Sequence, residues 1–327
     1  MCQVYSAVKL LYYVSKVLGF APYTILENGI LVPSVAAKRY SIFLCICVIA
    51  SKVYVFEILK VKDAPIIYIG LVLMYSCSSV TYLLSVVISI RSYKKFQKIT
   101  QKFNTLDSLL HQTLHTHKKQ FYTVLAQMGI VFISSGSVLF WNSFNVDNKE
   151  TGFFDVAQKL AYVAVQFICL FGDFIVVLQY TNLVLFTGQH FSHVNIKFSE
   201  LVHLCSHSPS TSRVASTLTF RSVSTITSPK PVGLQLRDQV SAVVDIHSKL
   251  LDTIPSINSA YSLQILCNVA KVFVHITFSL YYFLQSLSSE VSAEITVHIL
   301  FFCLWSSLQL IKIITCCDYT KRQVSVA

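Results

Sequence analysis

Six apolar stretches, each long enough to cross a lipid bilayer, set the strongest constraint on this chain. They run over Ser41–Leu59, Ala64–Ile90, Phe121–Phe144, Leu160–Phe186, Tyr261–Leu287 and Ile295–Cys316. A hydrocarbon core takes about 20 apolar residues of helix to cross. One such block can hide as the core helix of a soluble protein. Six cannot, because a soluble fold has no interior large enough for them. Only 13% of the 327 residues are charged, about half the share in a typical soluble domain. The alternating ten-residue strands of a membrane barrel are absent. The blocks therefore predict an all-α polytopic membrane protein with six transmembrane helices.

The N-terminal MCQVYSAVKLLYYVSKVLGF does not read as a cleaved signal. Lys9 and Lys16 interrupt it, and no small-residue cleavage site follows. Leu10, Leu11, Val14, Val17 and Leu18 recur at helical spacing, which predicts a short amphipathic helix on the membrane or on the protein body. The 26 Lys and Arg are unevenly spread. Lys9, Lys16, Lys38 and Arg39 precede the first span, and Arg91, Lys94, Lys95, Lys98, Lys102, Lys118 and Lys119 follow the second. A further group lies between the fourth and fifth spans, and Lys321 and Arg322 close the chain. The first, third and fifth loops hold only Lys60, Lys62, Lys149 and Lys159. This bias predicts that the N-terminus, the even loops and the C-terminus are cytoplasmic. The net charge of +11 is thus a topology signal, with no nucleic-acid partner implied. By this topology none of the ten cysteines is extracellular, so all are read as reduced thiols.

The topology divides the chain into a cytoplasmic amphipathic segment (1–40), the first four spans with a cytoplasmic helical loop at 91–120 (41–188), and a cytoplasmic loop (189–257). The last two spans (258–316) and a short tail (317–327) follow. Within 91–120, Phe96, Ile99, Phe103, Leu106, Leu109 and Leu110 repeat at three- and four-residue steps, predicting a helix that continues out of the second span. More than half of 206–229 is Ser or Thr, read as a disordered insert. Leu236, Val240, Val243, Val244, His247, Leu250 and Leu251 form one helical face leading into the fifth span. The outer connections are short, so a small ligand must be met within the helix bundle.

Four charges fall deep in the spans: Lys52, Asp173, Lys271 and Lys312. Charge inside a membrane is costly unless paired or hydrated. Counted from the inner ends of their spans, Asp173 and Lys271 differ in depth by about 4.5 Å, and an Asp173–Lys271 pair is expected. His111, His115 and His117 cluster, but no carboxylate or cysteine completes a metal shell. No metal and no cofactor is expected. No GxSxG, HExxH or Walker motif is present, so no enzyme is expected. A transporter would tend to carry internal repeats, and a G-protein-coupled receptor has its N-terminus outside.

Four stretches, in order, resemble one family. They are LYYVSKVLGFAPYTI (Leu11–Ile25), LQYTNLVLFTGQHFSHVNIKF (Leu178–Phe198), HSKLLDTIPSINSAYSLQIL (His247–Leu266) and IITCCDYT (Ile313–Thr320). They are similar to the amphipathic N-terminal turn, the His/Asn end of the fourth helix, the His-Leu-Asn-Tyr-Ser approach to the fifth, and the polar end of the sixth in insect gustatory receptors. The resemblance implies seven helices, with membership of a homo- or hetero-tetrameric ligand-gated cation channel in the plasma membrane of chemosensory neurons. Its partners would be a small-molecule tastant, membrane lipids and other gustatory receptor subunits. The family pattern continues into a seventh, pore-lining helix, whereas this chain ends KRQVSVA; a truncated chain that does not conduct alone is therefore expected. The alternatives are a poreless regulatory or decayed form, or an unrelated multi-pass transporter. The resemblance also implies a ligand pocket among the outer halves of the helices. There the chain carries Tyr68, Trp141, Asn142, Tyr162, Gln166, His275, Tyr281, Tyr282, Gln285, His298 and Trp305. Rings with a few polar groups suit a small organic ligand, although Tyr and Trp also favour membrane interfaces.

Overall fold

The computed structural model describes residues 3–26, 30–61, 66–110, 122–133, 135–136, 153–206, 232–288 and 293–325. The Ser/Thr-rich insert beyond residue 206, the three clustered histidines, Trp141 and Asn142 lie outside the described residues. Helix α1 (Gln3–Val17) leads into a two-stranded antiparallel hairpin, β1 (Tyr23–Ile25) and β2 (Leu31–Pro33). Then come α2 (Val35–Val61), α3 (Ile66–Arg91), α4 (Tyr93–Leu110), α5 (Tyr122–Ile133), α6 (Phe153–Ser206), α7 (Val232–Ser288) and α8 (Ala293–Ser325). The described chain is thus nearly all helical. The hairpin is a small departure from the expected all-α fold.

Three long helices make the frame. α6 has 54 residues and α7 has 57, which is about 80–85 Å each at 1.5 Å per residue. That far exceeds a hydrocarbon core of about 30 Å, so each has length to spare beyond a membrane. Both contain windows long and apolar enough to span one. α2 and α8 turn apolar side chains outward: Ile42, Phe43, Ile46, Ile49 and Val53 on one, Leu304, Leu308, Ile311 and Ile314 on the other. The spacing is that of an amphipathic helix with the sense reversed, as lipid contact requires.

The α1 terminus shows how local sequence fixes local structure. Gly19 sits at φ 79°, which glycine adopts without a Cβ clash. The Phe20 N–H donates to the Ser15 carbonyl at 2.8 Å and the Gly19 N–H to the Lys16 carbonyl at 3.2 Å, the paired bonds of a Schellman cap. The next carbonyls are taken by hydroxyls from the bundle. Tyr40 donates to Val17, Tyr82 to Leu18 and Ser41 to Gly19, each at 2.8 Å. The amphipathic N-terminal helix therefore packs on the protein body, with Leu11, Ser15 and Leu18 buried.

α4 is a separate helix, which corrects the expectation of one continuing out of the second span. The Ser92 N–H closes α3 on Ile88, and the Ser92 carbonyl accepts from Lys95 and Phe96 to open α4. The restart lets α4 lie along α7. Lys95 Nζ reaches the Ser259 carbonyl at 2.8 Å, and Lys102 Nζ reaches the Asp252 carbonyl at 2.6 Å. These contacts flank Pro255, which sits inside α7 and lacks an N–H for the helix ladder. Phe96, Phe103, Leu106, Phe186, Phe191, Ile246, Leu250 and Tyr261 fill one core, and Phe20, Tyr82, Val86, Val124, Ile175 and Leu178 a second.

α6 and α8 approach closely at Gly188. A Cβ there would lie 2.9 Å from Thr320 Oγ1 and 2.9 Å from the Tyr319 ring, while the Thr320 hydroxyl donates to the Val184 carbonyl at 2.9 Å. Gly188→Val is expected to cost about 1–3 kcal/mol, as overpacking does. The measurement is the thermal midpoint of the purified protein in detergent. Gly129→Ala, where a Cβ meets nothing within 4 Å, should leave the midpoint unchanged or raise it, since alanine favours a helix over glycine by up to about 1 kcal/mol. Equal midpoints for the two variants would contradict the close approach.

Candidate functional site

On α7, Gln264, Asn268, Lys271, His275 and Ser279 follow one another at three- and four-residue steps. They therefore share one helical face, and all five are buried. On α3 the same logic aligns Ser78, Ser85 and Ser89, also buried, and α6 adds Gln166 and Asp173, seven residues apart. These side chains form a polar seam through an otherwise apolar bundle.

Most of the bonds within the seam join helix to helix, and one lies within α7. Gln264 Nε2 donates to the Ser85 carbonyl at 3.0 Å and to Ser89 Oγ at 3.1 Å. Asn268 Nδ2 donates to the Gln264 carbonyl at 3.1 Å. His275 Nε2 lies 3.1 Å from the Met74 carbonyl and 3.4 Å from Ser78 Oγ, so a ring protonated on Nε2 donates to the α3 backbone. Lys271 Nζ donates to Asp173 Oδ2 at 3.0 Å, with side-chain exposures of 4% and 0%. Burying either charge alone would be very unfavourable. Pairing them with a direct hydrogen bond offsets much of that cost.

Several atoms of the seam have no partner among the described residues: Ser85 Oγ, both amide atoms of Gln166, Asp173 Oδ1, Gln264 Oε1, Asn268 Oδ1 and Ser279 Oγ. Most are acceptors. A buried polar atom left without a partner costs about 1–3 kcal/mol, so the seam favours molecules that bring hydrogen-bond donors. Gln166 is only 1% exposed and offers one donor and one acceptor side by side.

The other sequence candidates divide clearly. Tyr281 is turned outward, 53% exposed, and Tyr282 is the inward ring at 4%. Seven residues from His275 bring Tyr282 back to the same helical face, and six do not bring Tyr281 there. Gln285 is half-buried near the end of α7. The side chains of Tyr68, Tyr162 and His298, like Trp141 and Asn142, lie outside the described residues. Trp305 stacks on Phe174, with ring centroids 5.1 Å apart. Lys312 Nζ donates to Gln127 Oε1 at 2.9 Å. Sequence reasoning passed over Gln264, Asn268 and the α3 serines. The signal that finds them is a polar residue repeating every three or four positions inside an apolar helix. Among the described residues no cluster of His, Cys, Asp or Glu could hold a metal ion.

Outside the membrane-length stretches, burial pushes the Tyr23 hydroxyl well up, with Tyr12 adding to the effect. Burial also holds the His193 imidazole below its ordinary value, helped by Lys197 and His190.

Residues 8–325 match the profile of the 7tm chemosensory receptor family, and the chain belongs to that family, of the insect gustatory/odorant type. Comparison with curated proteins finds no match. Membership makes this a membrane protein of a receptor family, and the family is not one of enzymes.

Asp173→Asn would leave the Lys271 ammonium buried without its counter-charge. A loss of about 3–5 kcal/mol is expected, read as low yield of monodisperse protein and a lower thermal midpoint. Combining Asp173→Asn with Lys271→Met removes both charges and should recover most of the loss. A single variant with wild-type yield and midpoint would show that the pair does not hold α6 to α7.

Proposed function

We propose that the protein is a subunit of a gustatory receptor, a chemosensory ligand-gated cation channel that meets a small organic tastant within the outer half of its helix bundle. The observation that carries this reading is the inward face of α7. Tyr282, Ser279 and His275 lie along it, buried and close to aromatic rings; Phe278 and Tyr282 stack with centroids 6.2 Å apart. α6 supplies Gln166, fully buried with both amide atoms open. Aromatic surface for the ligand body and a few fixed polar atoms for its orientation are the usual make-up of a small-molecule site.

In this reading the six apolar stretches span the plasma membrane of a chemosensory neuron. The N-terminus, α4 and the inner halves of α6 and α7 are cytoplasmic, because the basic residues gather there. Other subunits of the same family complete a homo- or hetero-tetramer. Ligand binding biases the bundle by as much as its affinity differs between two arrangements of the helices.

The test uses the full chain in two measurements. Thermal stabilisation in detergent is screened against a panel of sugars and bitter plant compounds, and currents are recorded from cells co-expressing candidate partner subunits. Gln166→Ala and His275→Ala are each expected to raise the half-maximal ligand concentration about tenfold, the loss of roughly one hydrogen bond, with currents normalised to surface amount. Tyr281→Ala should leave it unchanged. Equal ligand sensitivity in all three variants would overturn the assignment of the site. An N-terminal epitope tag should be reachable by antibody only after permeabilisation, and labelling of intact cells would overturn the orientation.

A further inference from the structure

We propose that the basic face of α4, together with Lys249 of α7, binds the polyphosphorylated headgroup of an inner-leaflet phosphoinositide. The proposal rests on the cytoplasmic placement of α4 given above. Arg91 ends α3, and Lys94, Lys95, Lys98 and Lys102 follow within eleven residues; steps of three and four bring Lys95, Lys98 and Lys102 onto one side of α4. Arg91, Lys94, Lys95 and Lys98 are exposed. Clustered cations directly cytoplasmic of a membrane helix attract anionic lipid.

The structure adds a shape to this charge. Lys98 and Lys102 meet Lys249 across a groove of about 320 Å³ between α4 and α7, with Gln101 and Thr105 as neutral hydrogen-bonding neighbours. The lining carries three lysines against one carboxylate, Asp252. Lys249 is also shared with Asp245 at 2.6 Å. The Lys102 ammonium is fixed in advance by the Asp252 carbonyl and by Ser256 Oγ at 2.9 Å, and one of its three N–H donors remains for a ligand. Several ammonium groups in one concavity match several phosphomonoesters on one ring. A lipid with a single net charge would satisfy only one of them.

Position favours a lipid over a free inositol phosphate. Lys98 lies five residues past Tyr93, where α4 begins, about 7.5 Å along that helix, and the interfacial layer outside the hydrocarbon is about 5–8 Å thick. A ring whose phosphates project beyond its own phosphodiester reaches that depth. Arg91, Lys94 and Lys95 give an unbroken basic track from the membrane to the groove, which a soluble anion would not need. Occupancy would join α4 to α7 across the groove.

The experiment uses the full purified chain in detergent, with fluorescent short-chain phosphatidylinositol 4,5-bisphosphate as probe and short-chain phosphatidylserine and inositol trisphosphate as comparators. The bisphosphate lipid should bind at least tenfold more tightly than phosphatidylserine, and Lys98→Glu should weaken it at least tenfold. The thermal midpoint without lipid should not change in that variant, since Lys98 is exposed. Lys38→Glu, at the start of α2, should leave binding intact. Unchanged binding by Lys98→Glu, or equal binding of phosphatidylserine, would overturn the site. Inositol trisphosphate binding as tightly as the lipid, with no gain when the protein sits in bilayer nanodiscs containing the lipid, would overturn the lipid assignment. An N-terminal tag exposed on intact cells would sink the orientation instead, and binding in detergent does not depend on that result.

Discussion

A carboxylate and an ammonium held away from water fix the middle of this molecule. Apolar helices slide and rotate past one another at little cost, because one methyl contact resembles the next. The Lys271–Asp173 bond at 3.0 Å removes that freedom for α6 and α7, since any slip separates two charges where nothing else solvates them. The neighbouring bonds extend the same control to α3, through Gln264 to Ser85 and Ser89 and through His275 to Met74. The seam serves as the register of the bundle.

The other end of the molecule is held differently. There the backbone ends of α1 are closed by hydroxyls, and a row of rings ties five elements together. Tyr12, Tyr23, Phe96, Tyr261 and Tyr180 follow at centroid distances of 5.9, 6.4, 5.1 and 5.9 Å, linking α1, β1, α4, α7 and α6 in turn. Such pairs add about 0.5–1.5 kcal/mol each beyond the area they bury. The hairpin is small, but Leu31 is buried and Tyr23 stands in the row. It wedges the N-terminal segment against α4.

Much of the helical frame is legible in the sequence, because apolar length and the 3.6-residue repeat are local properties. The periodic polar positions of α7 are equally plain once an apolar helix is read for what interrupts it. Rotation is harder. Counting residues brings Asp173 and Lys271 to similar depths, but only packing decides which way each points; the same holds for Tyr281, turned outward, and Tyr282, turned inward. The hairpin escapes notice because three-residue strands are too short to alternate. The break at Ser92 is hidden because the apolar repeat runs on through it while the backbone bonds restart. The lysines of α4 look like a mere count of charge. Their reach to the carbonyls beside Pro255 depends on α4 lying along α7, a tertiary fact. The family resemblance rests on order as well as composition, which is why four weak stretches suffice to place the chain.

α6 runs for 54 residues and contains no proline. A rod of that kind transmits rotation with gain. Pivoting about its outer end by about 3°, a helix of about 80 Å moves its far end by about 4 Å. That is comparable to the sub-turn helix shifts that switch packed interfaces between alternatives. About two-thirds of the way along, roughly 53 Å from Phe153, Gly188 meets Tyr319 and Thr320, and a little further on Asn195 donates to the Gln323 carbonyl at 2.8 Å. A contact with almost no slack sits well out on the lever, so small angular changes near Gln166 become displacements that the α6–α8 junction must either absorb by repacking or pass on.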